Sequence, residues 1–323
     1  MIMIMIIIKN KVYLCIISKN LRKNMQFNHK INLIKKAYIY FMLFSVTANA
    51  ISVQDSKGTF TLDYIPKRII ILEYSFADTL ALIDVSPVGI ADDNQPERLI
   101  PEIRKVMGAY TSLGRRAEPS LEVIASLNPD LIIADTNRHK GVYNALSKLA
   151  PTILLPSKNS SYKETLEVAN KLSIILGKST EMKKRLKEHK KYLANISKNL
   201  PKNLEVIVGI ARENKFNISS ANSYISELLN TAGFQYKSNK REDNTPIYAG
   251  FEQLLALNPM YLILGEHVKP SIIDKWKKEP LWKALKCSQD GHILDLDSNL
   301  LARNRGIIGG ERIINELVQK LKK

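Results

Sequence analysis

Arg138, His139, Arg212, Arg303 and Arg305 stand at or just beyond the carboxyl ends of apolar, strand-like runs, as does Tyr74, while Arg116 lies on the turn "GRRAEPS". In open parallel sheets, ligands collect beyond those strand ends. A guanidinium donates in a planar fork that matches the two oxygens of a carboxylate, so several of them converging would suit an anion rich in carboxylates. Taken one at a time, each arginine is equally well a surface ion-pair partner. As a group at strand ends they point to an anion site. Other chemistry is scarce: no Gly-x-Ser-x-Gly elbow, Walker loop or Gly-x-Gly-x-x-Gly follows a strand. The histidines show no paired metal spacing. "RGIIGGE", Arg305 to Glu311, either holds an anion at a helix N-terminus or marks tight packing.

Two glutamates carry a second signal. "SLEVIASLNPDLIIAD", Ser120 to Asp135, returns as "GFEQLLALNPMYLILG", Gly250 to Gly265. In both, a Glu opens a helix-like run that ends at Leu-Asn-Pro, and an apolar strand-like run follows. Glu122 and Glu252 thus sit in the first turn of their helices, where a carboxylate complements the helix dipole by about 0.3 to 1 kcal/mol. The dipole suffices for either one alone; the matched pair also suits a surface that a basic partner grips at two points.

The elements that must position these residues alternate. Strand-like runs at Arg68–Tyr74, Pro87–Asp92, Asp130–Asp135 and Thr152–Pro156 are separated by helix-like stretches, including Phe76–Ile83, Leu121–Leu127 and Val142–Leu149. That pattern predicts a parallel sheet flanked by helices. The box Ser161-x-x-Glu164 opens a helix that closes at Gly177, and a second helix, from Ser179 to about Lys198, carries Met182, Leu186, His189, Leu193 and Ile196 on one stripe. At 1.5 Å per residue it would run about 30 Å, enough to brace two lobes. Strand-like runs resume at Glu205–Ala211, Phe216–Ser219, Met260–Glu266 and His292–Asp297, with helices at Ser223–Thr231 and Gly310–Leu321. The expected fold is α/β: two lobes with mainly parallel sheets flanked by helices, joined by one long rigid helix. The expected division is an extension with leader over 1–50, lobes over 51–178 and 201–323, and a bridging helix over 179–200.

The formal charge of +17 first suggests a nucleic-acid surface. However, residues 1 to 50 hold 8 basic residues and no acid, and the remainder carries 40 basic against 31 acidic residues without interleaved aromatics. A solvated face accounts for that remainder, and no nucleic acid is expected as a partner. From Met25 the chain has a basic segment ending at Lys36, an apolar run from Ala37 to Val46, and Ala48-Asn49-Ala50. This is the layout of a secretory signal peptide cleaved after Ala50, with Met25 as an alternative start. Cys15 would leave with it, so the mature chain would keep Cys287 alone and form no internal disulfide.

The stretches "GRRAEPSLEVIASLNPDLIIADTNRHKGVYNALSKLAPT", "GFEQLLALNP" with "EPLWKAL", and "DSNLLARNRGIIGGERI" resemble the periplasmic iron(III) dicitrate-binding proteins. These are helical-backbone substrate-binding proteins of ABC importers for ferric siderophores, haem and cobalamin. The likeness runs from about residue 60 to the end. It implies a monomeric periplasmic protein, not an enzyme, that holds ferric dicitrate between its lobes and hands it to an inner-membrane ABC permease. No cofactor is implied: iron is cargo, bound through its chelator rather than by protein ligands. The resemblance places Arg116, Arg138, His139, Arg212, Arg303, Arg305, Tyr74 and Tyr224 at the ligand, and Glu122 and Glu252 at the permease. Leu301 stands where the family has an aromatic, and Tyr224 in "NSYISEL" replaces a Trp-containing stretch, so another ferric siderophore, haem or cobalamin is the alternative cargo. An α/β hydrolase and a basic surface-binding protein are the rivals from other classes.

Overall fold

The computed structural model describes residues 50–322. The expected leader, its cleavage and Cys15 lie outside the described residues, which contain no helix long and apolar enough to cross a membrane.

The chain opens with an antiparallel hairpin, Ile51–Asp55 against Gly58–Leu62. The first sheet follows, all parallel, in the order Thr111–Ser112, Gly89–Ile90, Ile69–Ile71, Leu131–Asp135, Thr152–Leu155. The second is mixed. Its central strand, Glu205–Ala211, pairs in parallel with Tyr261–Glu266, and that strand with Ile293–Asp295. On the other side Phe216–Ile218 and then Ile247–Tyr248 run antiparallel.

Burial on both faces explains why these strands read as unbroken apolar runs. Side chains alternate across a strand. Ile69, Ile71, Leu131 and Ile133 enter one core while Ile70, Ile132 and Ala134 enter another on the opposite face. In the second sheet Val206, Val208 and Ile263 join the first core, and Ile207, Leu262 and Leu264 face a separate one. The inner core is therefore common to both lobes, and residues from Ala50 onward pack as one compact unit.

Helices α1 (Tyr74–Ala81), α3 (Tyr162–Ile175), α4 (Ser179–Asn199), α5 (Tyr224–Thr231) and α7 (Ile307–Leu321) line that shared core, while α2 (Leu121–Ser126) and α6 (Phe251–Leu257) pack on the two outer cores. The capping box at Ser161 and Glu164 is formed. The long helix, α4, lies where the periodicity placed it. The helix before it shares the bridging role, since α3 packs on the first hairpin and α1 as well as on α5. His189, from the apolar stripe of α4, is buried and contacts Tyr162 Oη through Nε2 at 2.6 Å and Glu311 Oε1 through Nδ1 at 2.7 Å, tying α3, α4 and α7 together.

The repeated corner is built twice. Asn128 and Asn258 both adopt left-handed backbone, φ 45° and 36°, between helix and Pro. Asparagine tolerates that conformation better than most residues. Each corner feeds a strand adjacent to the centre of its sheet, Leu131–Asp135 or Tyr261–Glu266.

Candidate functional site

The floor of the first lobe is a chain of alternating charge. Glu73 caps the start of α1 in extended conformation, directly after the strand Ile69–Ile71, and its side chain is 1% exposed. Asp93 follows the strand Gly89–Ile90 with a left-handed φ of 59°. Arg116 projects from a tight hairpin, Gly114–Arg115 against Glu118–Pro119. It donates from its backbone N–H to Asp93 Oδ1 at 3.0 Å, from Nε to Asp93 Oδ2 at 3.1 Å and from Nη1 to Glu73 Oε2 at 3.0 Å. The second oxygen of Glu73, Oε1, pairs with Arg138 Nε, and Arg98 Nη1 reaches Asp93 Oδ2 at 2.9 Å. The order is Arg98, Asp93, Arg116, Glu73, Arg138.

Electrostatics follows from this arrangement. Burial pushes the Asp93 carboxyl up, but the N–H groups and charge of Arg116, with Arg98, outweigh it and hold the group below the carboxylate range. Burial likewise opposes the charge on Arg116, yet Glu73 and Asp93 raise its pKa. Both partners stay ionised. An opposite charge within hydrogen-bond distance acts in this direction.

The second lobe contributes cations without such partners. Arg303 ends the helix Ser298–Arg303 and donates from Nη1 to Asn299 Oδ1 at 2.7 Å. Among the described residues no carboxylate forms an ion pair with it. Burial first, then the charges of Arg98 and Arg116, pull its pKa down to about 10. That shift places Arg303 within electrostatic reach of the first lobe's arginines. His267 is pulled down to about 4 by burial, then by Arg303, Arg212 and Arg98. It is neutral at pH 7, with Nδ1 2.8 Å from Ser298 Oγ. Arg212 is exposed at the end of the strand Glu205–Ala211. Arg305 donates from Nη1 to Ala302 O at 2.7 Å, while its Nε is buried and unpartnered. It lines a cavity of about 110 Å³ with Asn159, Ser160, Ser219, Tyr224 and Leu301.

Arg116 and Arg138 share Glu73, Arg303 and Arg305 lie within electrostatic reach of them, and Arg212 is exposed at its strand end. Three other expected contacts need correction. His139 is fully buried: its Nδ1 accepts from the Asp135 N–H at 2.8 Å, so Nε2 carries the proton and donates to Arg116 O at 2.7 Å. It positions the backbone of Arg116 instead of facing the cleft. Tyr74 is also fully buried; its hydroxyl donates to Asp92 O at 2.7 Å and its ring lies beneath Arg116, 4.3 Å from the guanidinium carbon. Tyr224, 1% exposed, donates its hydroxyl to Gly306 O at 2.5 Å and packs edge-on against Tyr162. It is a joint of the shared core whose hydrogen-bonding group is already used.

Sequence reasoning missed Arg98 and the pairing roles of Glu73 and Asp93. Arg98 lies in "DDNQPERLI", within a short 3-10 turn, Pro96–Arg98. Asn304 Nδ2 of the second lobe donates to its carbonyl at 3.1 Å. Its available signal was position alone, on a loop beyond a strand end. Glu73 had none, because an acid among candidate anion-binding arginines argues against itself until their partners are known. Glu122 and Glu252 are exposed in the first turns of α2 and α6.

Residues 69–300 match the family model described as "Periplasmic binding protein". Over 272 residues, 84% of this chain and 90% of the relative, the chain is 44% identical to the Fe(3+) dicitrate-binding periplasmic protein FecB of Escherichia coli (strain K12). It is 38% identical over 274 residues, 83% of this chain and 85% of the relative, to the Fe(3+)-citrate-binding protein YfmC of Bacillus subtilis (strain 168). Among solved structures, Staphylococcus aureus SirA complexed with staphyloferrin B superposes with a TM-score of 0.71 at 24% identity, covering 84% of this chain and 98% of the other, a likeness of fold.

Proposed function

The chain belongs to the periplasmic binding protein family, and from that premise we propose that it captures ferric dicitrate, or a closely related anionic carboxylate chelate of iron, and delivers it to an inner-membrane ABC permease. The observation that carries this reading is the facing of two unlike cationic surfaces. Arg98, Arg116 and Arg138 are held in register by Glu73 and Asp93, opposite Arg303 and Arg305, which have no carboxylate partner among the described residues. Five guanidinium groups against two paired carboxylates favour a ligand that brings several negative charges in a compact body. The likeness to proteins named for ferric citrate binding supports that choice of anion.

Mechanism is binding without turnover. Carboxylate oxygens of the chelate accept from the free edges of the guanidinium groups, and iron stays inside its own ligand shell. Among the described residues no cluster of three His, Cys, Asp or Glu side chains gathers to take the metal. Glu122 and Glu252, one on each lobe at the start of a matched helix, serve as the docking points for basic residues of the permease. The protein works as a monomer in the periplasm after its leader is removed near Ala50.

Calorimetric titration of the exported protein with ferric dicitrate tests this, with a ferric catecholate siderophore, haem and cobalamin as competitors. Calorimetry is preferred because Trp276 and Trp282 are packed on Phe251, the first residue of α6, within the second lobe's own core. Saturable heat at micromolar chelate, weakened by salt, is expected. Saturation by one of the competitors and not by the carboxylate chelate would assign the site to that cargo instead.

A further inference from the structure

Glu73 poses a problem that the binding reading does not solve. It is a buried carboxylate placed among cations that are meant to hold an anion, where Coulomb repulsion from the ligand opposes binding. Its geometry shows what it does instead. Each of its oxygens is assigned to a different arginine, Oε2 to Arg116 and Oε1 to Arg138. Its side chain is 1% exposed while those of Arg116 and Arg138 are 8% and 21% exposed, so the arginines lie between it and solvent. The backbone beneath is fixed as well: the Glu73 carbonyl accepts from the Phe76 and Ala77 N–H groups at the start of α1, and the Arg116 carbonyl is held by His139. Without Glu73 the two guanidinium groups would repel each other, and Arg138, whose one carboxylate partner it is, would sample its own rotamers while Arg116 stayed on Asp93.

We propose that Glu73 is a positioning and specificity-determining residue that sets the spacing of Arg116 and Arg138, so that the site selects carboxylates locked in place by a metal over the same carboxylates on a flexible, metal-free molecule. This inference rests on the reading of the cleft as a site for an anionic iron chelate. Preorganised donors favour a rigid partner because neither side loses conformational freedom on binding. A flexible anion adapts to either arrangement of the arginines and gains little from the fixed one. The role is distinct from charge: removing one negative charge helps every anion, whereas removing the spacing harms only the rigid one.

The variants Glu73→Asp and Glu73→Gln separate the two effects. Glu73→Asp keeps the charge and withdraws it by one methylene, so it cannot span both arginines. Calorimetry is run on the whole exported protein with ferric dicitrate and with iron-free citrate. Both variants are expected to lower the ratio of the two affinities by about tenfold, the size of one lost charge-assisted contact. In Glu73→Asp that fall comes from weaker ferric dicitrate binding at nearly constant citrate binding. A Glu73→Asp protein with the unaltered ratio, or a Glu73→Gln protein that strengthens both ligands equally, overturns the proposal.

Should either variant fail to fold, the arginine Nε–H resonances of the unaltered protein decide. That of Arg138, whose Nε faces Glu73, is expected to exchange slowly with water before any chelate is added. A fast-exchanging signal in the ligand-free protein overturns it. If ferric dicitrate itself does not bind, the functional reading fails, and the ratio is measured with the chelate that does bind and its metal-free form, so the two failures are told apart.

Discussion

Replacing Asp78 with Asn isolates an anion held by the last helix. Asp78 lies on α1 of the first lobe, fully buried, and accepts from the backbone N–H groups of Ile308 at 3.1 Å and Gly309 at 2.8 Å in the first turn of α7. Gly306 is required beside it, since a Cβ there would lie 2.1 Å from the Asp78 carboxyl carbon. Burial raises the carboxyl from an ordinary 3.8 to about 6, against the opposing pull of the Gly309, Ile308 and Ile307 N–H groups. An acid whose folded pKa exceeds its unfolded one binds more protons when folded, so its contribution to stability is full below about pH 3.8 and is lost as the pH rises through about 6. At 1.36 kcal/mol per unit the whole contribution is about 3 kcal/mol, of which about 2 kcal/mol falls between roughly pH 4.5 and roughly pH 7.5. Asparagine does not titrate, and every other group cancels in the comparison. Urea unfolding of the unaltered protein and Asp78→Asn at both ends of that range should therefore show their stability difference moving by about 2 kcal/mol against the unaltered protein as pH rises. A difference that stays flat, or moves the other way, would refute a desolvated carboxylate joining the lobes at this point.

Arg303→Gln should weaken ferric dicitrate binding about 10- to 100-fold in calorimetry, the range for losing one charge-assisted contact, while leaving the urea midpoint nearly unchanged because no ion pair is broken. Tyr224→Phe should cost about 0.5 to 1.5 kcal/mol in urea unfolding by removing one of the two hydrogen bonds to the Gly306 carbonyl, which keeps the Gly310 N–H, with chelate affinity preserved; lost affinity at full stability would restore Tyr224 as a ligand contact. The double variant Glu122→Ala, Glu252→Ala should bind chelate as before and fail to drive its uptake into cells, and uptake at the normal rate would remove both residues from the docking surface.

Much of the fold was legible because the strands are buried on both faces. An unbroken run such as Ile69 to Leu72 is what such a strand requires, so the parallel pairing in each lobe could be read from composition and spacing. Boundaries were less legible. Helix α7 begins at Ile307, three residues before its expected start at Gly310, because Gly309 and Gly310 give close approach and do not break the helix. A Cβ on Gly310 would sit 2.5 Å from the Tyr224 hydroxyl. The two explanations offered for "RGIIGGE" are both realised: the helix start holds an anion, and that anion is Asp78, admitted by tight packing at Gly306. The hairpin Ile51–Asp55 with Gly58–Leu62 was not expected, although its alternating residues and Gly58 were in view. In the site, residue type identified the arginines, but pairing across Glu73 to Arg138, 65 positions apart, leaves no local trace. His139 and Tyr74 were misplaced for the same reason: a strand end marks where a side chain starts, and only the packing decides whether it points to the cleft or supports a neighbour that does.

The two lobes treat their cations differently, and the difference bears on capture. In the first lobe Glu73 and Asp93 compensate the arginines before any ligand arrives, so that surface is stable as it stands. In the second, Arg303 is disfavoured by its own burial and by Arg98 and Arg116 across the cleft, which is why its pKa falls. A polyanion seated on the first lobe turns that repulsion into attraction, since its remaining carboxylates lie between the two sets of charge. Two contacts already join the lobes: Asn304 Nδ2 donates to the carbonyl of Arg98, and Asp78 accepts from the start of α7. With the lobes joined at these two points, the charge left uncompensated beside Arg98 and Arg116 is that of Arg303.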